Sequence, residues 1–301
     1  MLIGIVGTGA IGSLLATQAA LAGLNCVVIP RRERNNTNGH IALSRSDLAA
    51  QSFTLPIATN NQLSRLDVVI VPTKAYQVEQ AICDINAHLR PHTAIVLLHN
   101  GIGPHEVVQQ LCPDNPIVGA TTSYAALKTS AQTVTMTGSG QTDAGWLANP
   151  QLTIQDKLLQ MLNSLLPPCN WHQDVLWIML KKLSVNAVIN PLTALNNVKN
   201  GALCDAHYSQ SIQHLCEQTS NVFNALGYPV STAALQGYVT EVAQLTANNY
   251  SSMHQDLAHK RRTEIDFING FIVREAKRHR MAVPDHQKLV TAIHRQESHY
   301  R

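Results

Sequence analysis

Three side chains on one run of sequence could combine proton delivery with hydrogen bonding. In Lys182-Leu183-Ser184-Val185-Asn186-Ala187-Val188-Ile189-Asn190-Pro191-Leu192-Thr193, polar residues recur every fourth position at Lys182, Asn186 and Asn190. At about 100° per helical residue, a step of four leaves an offset of about 40°, so a helix carries all three on one face. Leu183, Val185, Val188 and Ile189 surround the stripe with apolar surface. An ammonium can stabilise and protonate a developing alkoxide, and an amide can both donate to and accept from a polar ligand. A polar face that seals a domain junction would show the same spacing, so both readings stand at this point. Pro191 disfavours the αR conformation at Asn190, which predicts that the helix ends or kinks there and turns the second amide outward.

A second constellation lies at the N-terminus. Leu2-Ile3-Gly4-Ile5-Val6 reads as a strand, Gly7-Thr8-Gly9-Ala10-Ile11-Gly12 follows at once, and residues 13–22 read as a helix closed by Gly23. Strand, G-x-G-x-x-G and helix in that order form the dinucleotide-binding fingerprint. Gly7 permits the tight turn, Gly9 admits a pyrophosphate to the backbone, and Gly12 lets the helix pack closely on the strand. The helix N-terminus then offers N–H groups and partial positive charge to the phosphates. The strand at 25–30 ends in Pro30 rather than in an acid and is followed by Arg31 and Arg32, while Glu33, which speaks for ribose hydroxyls, lies further along the loop. A guanidinium there suits a 2′-phosphate, so the cofactor is read as NADPH/NADP+ rather than NAD.

These groups need elements to position them. Apolar runs at 67–71, 93–98 and 116–119 alternate with helical patterns and predict a parallel sheet with right-handed crossovers. Ligands of such sheets lie beyond the carboxyl ends of the strands, where Lys74 and Asn100 fall. Residues 120–150, rich in Thr, Ser and Gly, read as antiparallel strands or loop. Pro167-Pro168 marks the expected boundary between an NADP-binding Rossmann-like domain (1–167) and a helical substrate and catalytic domain (168–301). Helices are expected near 151–166, 174–190, 208–226, 231–247, 263–280 and 285–299, and the active site in the interdomain cleft. Thr263-Glu264-Ile265-Asp266 reads as a helix start with Thr263 as N-cap, which is by itself reason enough for an acid at 264.

Composition excludes several classes. A chain of 301 residues with 45% hydrophobic and 14% charged residues is globular and long enough for two cores. A formal charge of +3 gives no argument for nucleic acid. Six scattered cysteines without a C-x-x-C pair fit a reduced, cytoplasmic protein. The cysteines show no short metal-type spacing and the fourteen histidines are spread along the chain, so no metal is expected. No run of 18 uninterrupted apolar residues appears, so no membrane span is expected. The apolar N-terminus lacks the charged n-region of a signal peptide.

The chain resembles ketopantoate reductases (2-dehydropantoate 2-reductases) over essentially its full length. The resemblance rests on the Gly7 to Gly12 fingerprint, His99-Asn100-Gly101, K-L-x-x-N-x-x-x-N-P-L-T-A from Lys182, Asn200-Gly201, Ser251-Ser252-Met253, and Thr263-Glu264-Ile265-Asp266-Phe267-Ile268-Asn269-Gly270. It implies NADPH-dependent reduction of 2-dehydropantoate to D-pantoate, on the way to pantothenate and coenzyme A. By motif, Lys182 is the general acid and Glu264 its partner carboxylate near substrate and cofactor. Asn186, Asn190, Asn200 and Ser252 bind substrate, Arg31 and Lys74 contact the NADPH phosphates, and Asn100 stands at the junction of cofactor and substrate. The implied partner is a small keto acid, with no nucleic acid and no membrane, and a homodimer is compatible. Two positions depart from the family pattern: Leu180 stands where a Trp is common, and His254 where an apolar residue is common. A reductase of another 2-keto acid on the same plan is the main alternative, and a non-catalytic NADP(H)-binding regulator the minor one.

Overall fold

The computed structural model describes residues 1–30, 39–48 and 51–300, in two compact units. The first comprises Met1–His99 and Pro104–Ile178, and the second Asn100–Gly103 and Met179–Arg301. The expected boundary at Pro167-Pro168 falls short of this division. The chain beyond those prolines still adds a strand to the first unit's sheet, and the division falls only after Ile178.

In chain order the first unit contains β1 (Ile3–Val6), α1 (Ala10–Leu21), β2 (Cys26–Ile29), β3 (His40–Arg45), β4 (Gln51–Pro56), α2 (Asn60–Leu63), β5 (Val68–Val71) and α3 (Val78–Cys83). It continues with β6 (Ala94–Leu98), α4 (Pro104–Leu111), β7 (Ile117–Thr122), β8 (Ala125–Lys128), β9 (Thr133–Gly138), β10 (Thr142–Ala148), α5 (Leu152–Leu165) and β11 (Cys169–Trp171). Seven strands form one sheet in the order β11-β10-β7-β6-β5-β1-β2. The strands from β7 to β2 are mutually parallel, and β10 runs antiparallel to β7.

The unbroken apolar runs of β1, β2, β5 and β6 follow from burial on both faces. Alternate residues serve opposite layers. Ile5, Val68, Ile70 and Val96 pack with Leu14 and Leu15 of α1 and Leu158 and Leu162 of α5. Val27, Val69, Val71, Ile95 and Leu97 pack with Val78 and Ile82 of α3 and Val108 of α4. Each such side chain contributes about 1.5–3 kcal/mol when fully buried. A smaller sheet, β4-β3-β9-β8, contains the antiparallel pairs β3/β4 and β8/β9. Arg45 of β3 is 1% exposed. Its Nε donates to Asp47 Oδ1 at 2.9 Å, and its Nη1 to Gln18 of α1 at 3.2 Å.

The second unit is helical: α6 (Val175–Asn196, which begins four residues before the division), α7 (Ser209–Ala225), α8 (Thr232–Leu245), α9 (Ser252–Ala258), α10 (Asn269–Arg278) and α11 (Pro284–Ser298). Val185, Val188, Ile189 and Leu192 of α6 pack against Ile212 and Leu215 of α7 and Leu235 and Val239 of α8. Among the described residues α6 is long and apolar enough to cross a membrane, yet 67% of its most apolar window is buried inside the protein, as in a core helix.

Two sequence expectations change here. α6 neither stops at Asn190 nor ends at Pro191, but runs on to Asn196 with the proline inside it. The helix expected from Thr263 is instead a single 3₁₀ turn at Ile265–Phe267, a non-helical residue at Ile268, and α10 from Asn269. Glu264 therefore precedes the turn and is no first-turn acid of a long helix.

Candidate active site

The fingerprint turn has the stereochemistry its glycines imply. Gly7 adopts φ +78°, a conformation that disfavours any side chain. A Cβ on Gly12 would lie 2.3 Å from the Gly7 carbonyl oxygen, so only hydrogen fits where α1 crosses the turn. A Cβ on Gly9, by contrast, would meet nothing within 4 Å, which leaves the outer side of the turn open. α1 starts at Ala10 with no side-chain cap and no acid in its first turn. An open glycine turn feeding an uncapped helix N-terminus fits a dinucleotide pyrophosphate. Thr8, Ala10 and Ile11 lie within this turn and helix start as expected from the sequence.

The neighbours of the turn include groups that sequence reading passed over. Lys128, on β8, donates from Nζ to the Thr8 carbonyl and so brings a cation to the fingerprint. Thr73, just past the end of β5, has its Cγ2 3.7 Å from where a Gly7 Cβ would stand, and its Oγ1 is buried without a hydrogen-bond partner. Lys74 follows it in extended conformation, half-buried at the start of a 3₁₀ turn. Arg31 lies outside the described residues.

In the second unit, α6 carries Lys182, Asn186 and Asn190 four residues apart, the first two half-buried and Asn190 5% exposed. The helix passes through Pro191 with its one missing bond replaced from outside. The Ala187 carbonyl, which Pro191 cannot serve, accepts from Asn269 Nδ2 at 2.8 Å. Thr193 Oγ1 lies 2.7 Å from the Ile189 carbonyl and 2.8 Å from Ser251 Oγ. Ser251 is the N-cap of α9, accepting from the His254 amide at 3.1 Å. Asn190 is thereby fixed against the chain segment that opens α9. Ser252, the first residue of α9, is exposed.

Asn200 is bound to the same segment from the other side. Its amide N–H donates to the Asn249 carbonyl at 2.9 Å, and its Nδ2 to Thr246 Oγ1 at 2.9 Å. A Cβ on Gly201 would come 2.7 Å from Ala247 Cβ, so the glycine permits this close docking. The polar atoms buried without hydrogen-bond partners among the described residues include Nδ2 of Asn190, a donor, and Oδ1 of Asn200, an acceptor. Buried polar atoms rarely stay unsatisfied, so each has capacity for a further partner, an acceptor for Asn190 and a donor for Asn200.

Glu264 is 4% exposed, and its Oε2 accepts from Asn100 Nδ2 at 3.3 Å. The Asn100 segment is secured by Ile102, whose N–H donates to the Phe267 carbonyl at 2.9 Å. Gly101 has φ +84°, and a Cβ there would lie 2.4 Å from that same carbonyl oxygen. The structure thus joins Asn100 to Glu264, and both Asn190 and Asn200 to residues 246–251.

Among the described residues no group of three or more His, Cys, Asp or Glu could hold a metal. Burial pushes the thiol of Cys216 up to about 12 and those of Cys26 and Cys169 up to about 11, so none is a ready nucleophile.

A doubly wound unit with an open glycine turn at a helix N-terminus, followed by a helical unit bearing an ammonium, several amides and a buried carboxylate, is the plan of a two-domain oxidoreductase that uses a dinucleotide. Residues 3–149 match the family described as Ketopantoate reductase PanE/ApbA, and residues 174–297 its C-terminal counterpart. The chain belongs to the ketopantoate reductase family. It is 35% identical to a 2-dehydropantoate 2-reductase of Vibrio cholerae over 97% of both chains. It is 34% identical to one of Escherichia coli O157:H7, over 100% of this chain and 96% of that one. In fold it matches a solved complex of D-mandelate dehydrogenase with NADH, with a TM-score of 0.87, 24% identity and full coverage of both chains.

Proposed function

We propose that this protein reduces 2-dehydropantoate to D-pantoate with NADPH. The carrying observation is that the Asn190 donor and the Asn200 acceptor are both buried and unpartnered. A 2-keto acid that also bears a hydroxyl offers both complements, a carboxylate or carbonyl oxygen to Asn190 and an O–H to Asn200. Family membership and relatives bearing that enzyme's name over almost their whole length support the same reading.

The reduced nicotinamide supplies hydride chemistry when bound. The residues of the chain supply position and protons. Lys182 donates a hydrogen bond to the keto oxygen, stabilises the charge that develops there, and then protonates it. Asn186 and Asn190 hold the substrate along the same helix face, and Asn200 and Ser252 complete its polar contacts. Glu264 holds Asn100 and acts as the carboxylate partner within the site. Gly7, Thr8, Gly9, Ala10, Ile11 and Gly12 form the pyrophosphate cradle, with Lys74 and Arg31 as phosphate contacts. Preference for NADPH over NADH is supported by the absence of an acid at the end of β2 and by Arg31 and Arg32 directly beyond it. A cytoplasmic location and a homodimer belong to the same reading. Six free cysteines support the cytoplasm.

NADPH oxidation followed optically with ketopantoate, in wild type and Lys182→Ala, tests the proposal. General acid catalysis contributes about 10²–10⁴-fold, and the variant is expected to lose at least that much in kcat with NADPH still bound. Near-normal turnover in the variant removes Lys182 from the role. Faster wild-type turnover of a different 2-keto acid redirects the substrate.

A further inference from the structure

Asn269 is fully buried and uses both hydrogens of its amide. One goes to the Ala187 carbonyl at 2.8 Å, the other to Nδ1 of His286 at 3.0 Å. Since that ring nitrogen accepts, the neutral imidazole carries its proton on Nε2. Nε2 lies 3.2 Å from the Leu215 carbonyl and 3.0 Å from Thr219 Oγ1, both on α7. A chain of hydrogen bonds therefore runs from α6 through α10 and α11 to α7, and Asn269 is its contact with the site helix.

The bonded carbonyl has a special place. Ala187 is four residues before Pro191, so its carbonyl has no helical N–H to accept. It also lies between the two amide-bearing residues of the stripe, one after Asn186 and three before Asn190. A peptide at 187–188 without its partner would tilt to seek another donor, and the amides on either side would turn with it.

We propose that Asn269 is a positioning residue for the keto-acid site: it supplies the hydrogen bond that Pro191 removes and so keeps Asn186 and Asn190 aimed along one face with Lys182. The assignment rests on the reading of those two amides as substrate contacts. His286 fixes the rotation of Asn269 by accepting its second hydrogen.

The test uses the full-length enzyme and four variants: Asn269→Ala, Pro191→Ala, their combination, and Asn190→Ala. Asn269→Ala is expected to lose about tenfold or more in kcat/KM for ketopantoate, the order set by one unsatisfied buried carbonyl. NADPH affinity, read by fluorescence, should stay within about twofold, because the cradle is elsewhere in the chain. Pro191→Ala restores an N–H to residue 191, so the combined variant should match Pro191→Ala alone within about twofold. That comparison holds even if the single Asn269→Ala variant does not fold. A tenfold gap between the combined variant and Pro191→Ala overturns the proposal. So does an Asn269→Ala protein that melts earlier yet keeps wild-type kcat and KM, which is the mark of a merely structural asparagine. Asn190→Ala separates this from the underlying reading. If that variant binds ketopantoate normally the substrate site is misassigned, whereas if it fails while Asn269→Ala is normal only the positioning role falls.

Discussion

Replacing His286 by glutamine should flatten the acid limb of the stability profile. An ordinary imidazole titrates near 6.5, and complete burial pushes His286 down to about 4. Desolvation of the cation is the main cause, opposed by the Leu215 carbonyl and the nearby Asp285 carboxylate. Above pH 6.5 both folded and unfolded chains carry the neutral ring, so the group has no effect on stability. Below that value the unfolded chain takes up a proton that the folded one refuses, and folding becomes less favourable as pH falls. Below about 4 both states are protonated and the loss stops growing. The interval from 6.5 to about 4, at about 1.4 kcal/mol per pH unit, amounts to about 3 kcal/mol. Protonation would also put a hydrogen on Nδ1, where Asn269 already donates.

Urea denaturation between pH 4 and 8 measures the effect in both proteins. Carboxylates titrate in the same range, so the informative quantity is the difference between the two profiles. Glutamine costs stability at every pH, because it cannot reproduce both ring contacts. The gap between wild type and variant should nevertheless narrow by about 3 kcal/mol from pH 6.5 to pH 4. Profiles that stay parallel across that window would refute the assignment of His286 as a buried neutral base.

Further outcomes follow from other contacts. Gly12→Ala places a methyl 2.3 Å from the Gly7 carbonyl oxygen, between two stretches of backbone. It should cost about 1–3 kcal/mol and weaken NADPH binding in a fluorescence titration, with wild-type affinity counting against the cradle. Gly101→Ala meets both a positive φ and the Phe267 carbonyl. Its kcat should fall through loss of the Asn100–Glu264 bond, and unchanged kcat would detach that bond from catalysis. Arg45→Ala leaves Asp47, now held down at about 2 chiefly by its bond to Arg45, without its main partner. Loss of that buried guanidinium should destabilise the fold, measured by thermal melting, and the stability that Asp47 contributes above 3.8 and gives up as pH falls towards 2 should vanish with it. 2-Ketoisovalerate, which lacks the hydroxyl offered to Asn200, should show a far lower kcat/KM than ketopantoate, and equal values would count against the hydroxyl contact.

What the sequence disclosed was governed by how local each determinant is. The turn of Gly7, Gly9 and Gly12 is legible because its torsional and steric demands lie within six residues. The stripe of Lys182, Asn186 and Asn190 is legible because helical periodicity puts the three together. The parallel sheet shows in its unbroken apolar runs. Continuation of α6 beyond Asn190 was not legible, since a proline is read as a stop unless a distant donor is known. Here that donor lies 82 residues away, and the Ser251 hydroxyl near Thr193 lies 58 away. The β3/β4 pair was passed over although His40–Arg45 alternates exposed and buried residues, because its polar half offers no apolar run. The unsatisfied atoms of Asn190 and Asn200 became visible only once the structure had accounted for their neighbours. Glu264 was given a helix-start explanation that the break at Ile268 removes, which leaves its bond to Asn100 as its contact within the site.

The proline in α6 also bears on the order in which the chain can fold. During synthesis the Ala187 carbonyl faces a gap in its own helix until residue 269 has been made. The middle of α6 thus completes its hydrogen bonding only with a residue from α10, and the peptide at 187–188 depends on a part of the chain made 82 residues later.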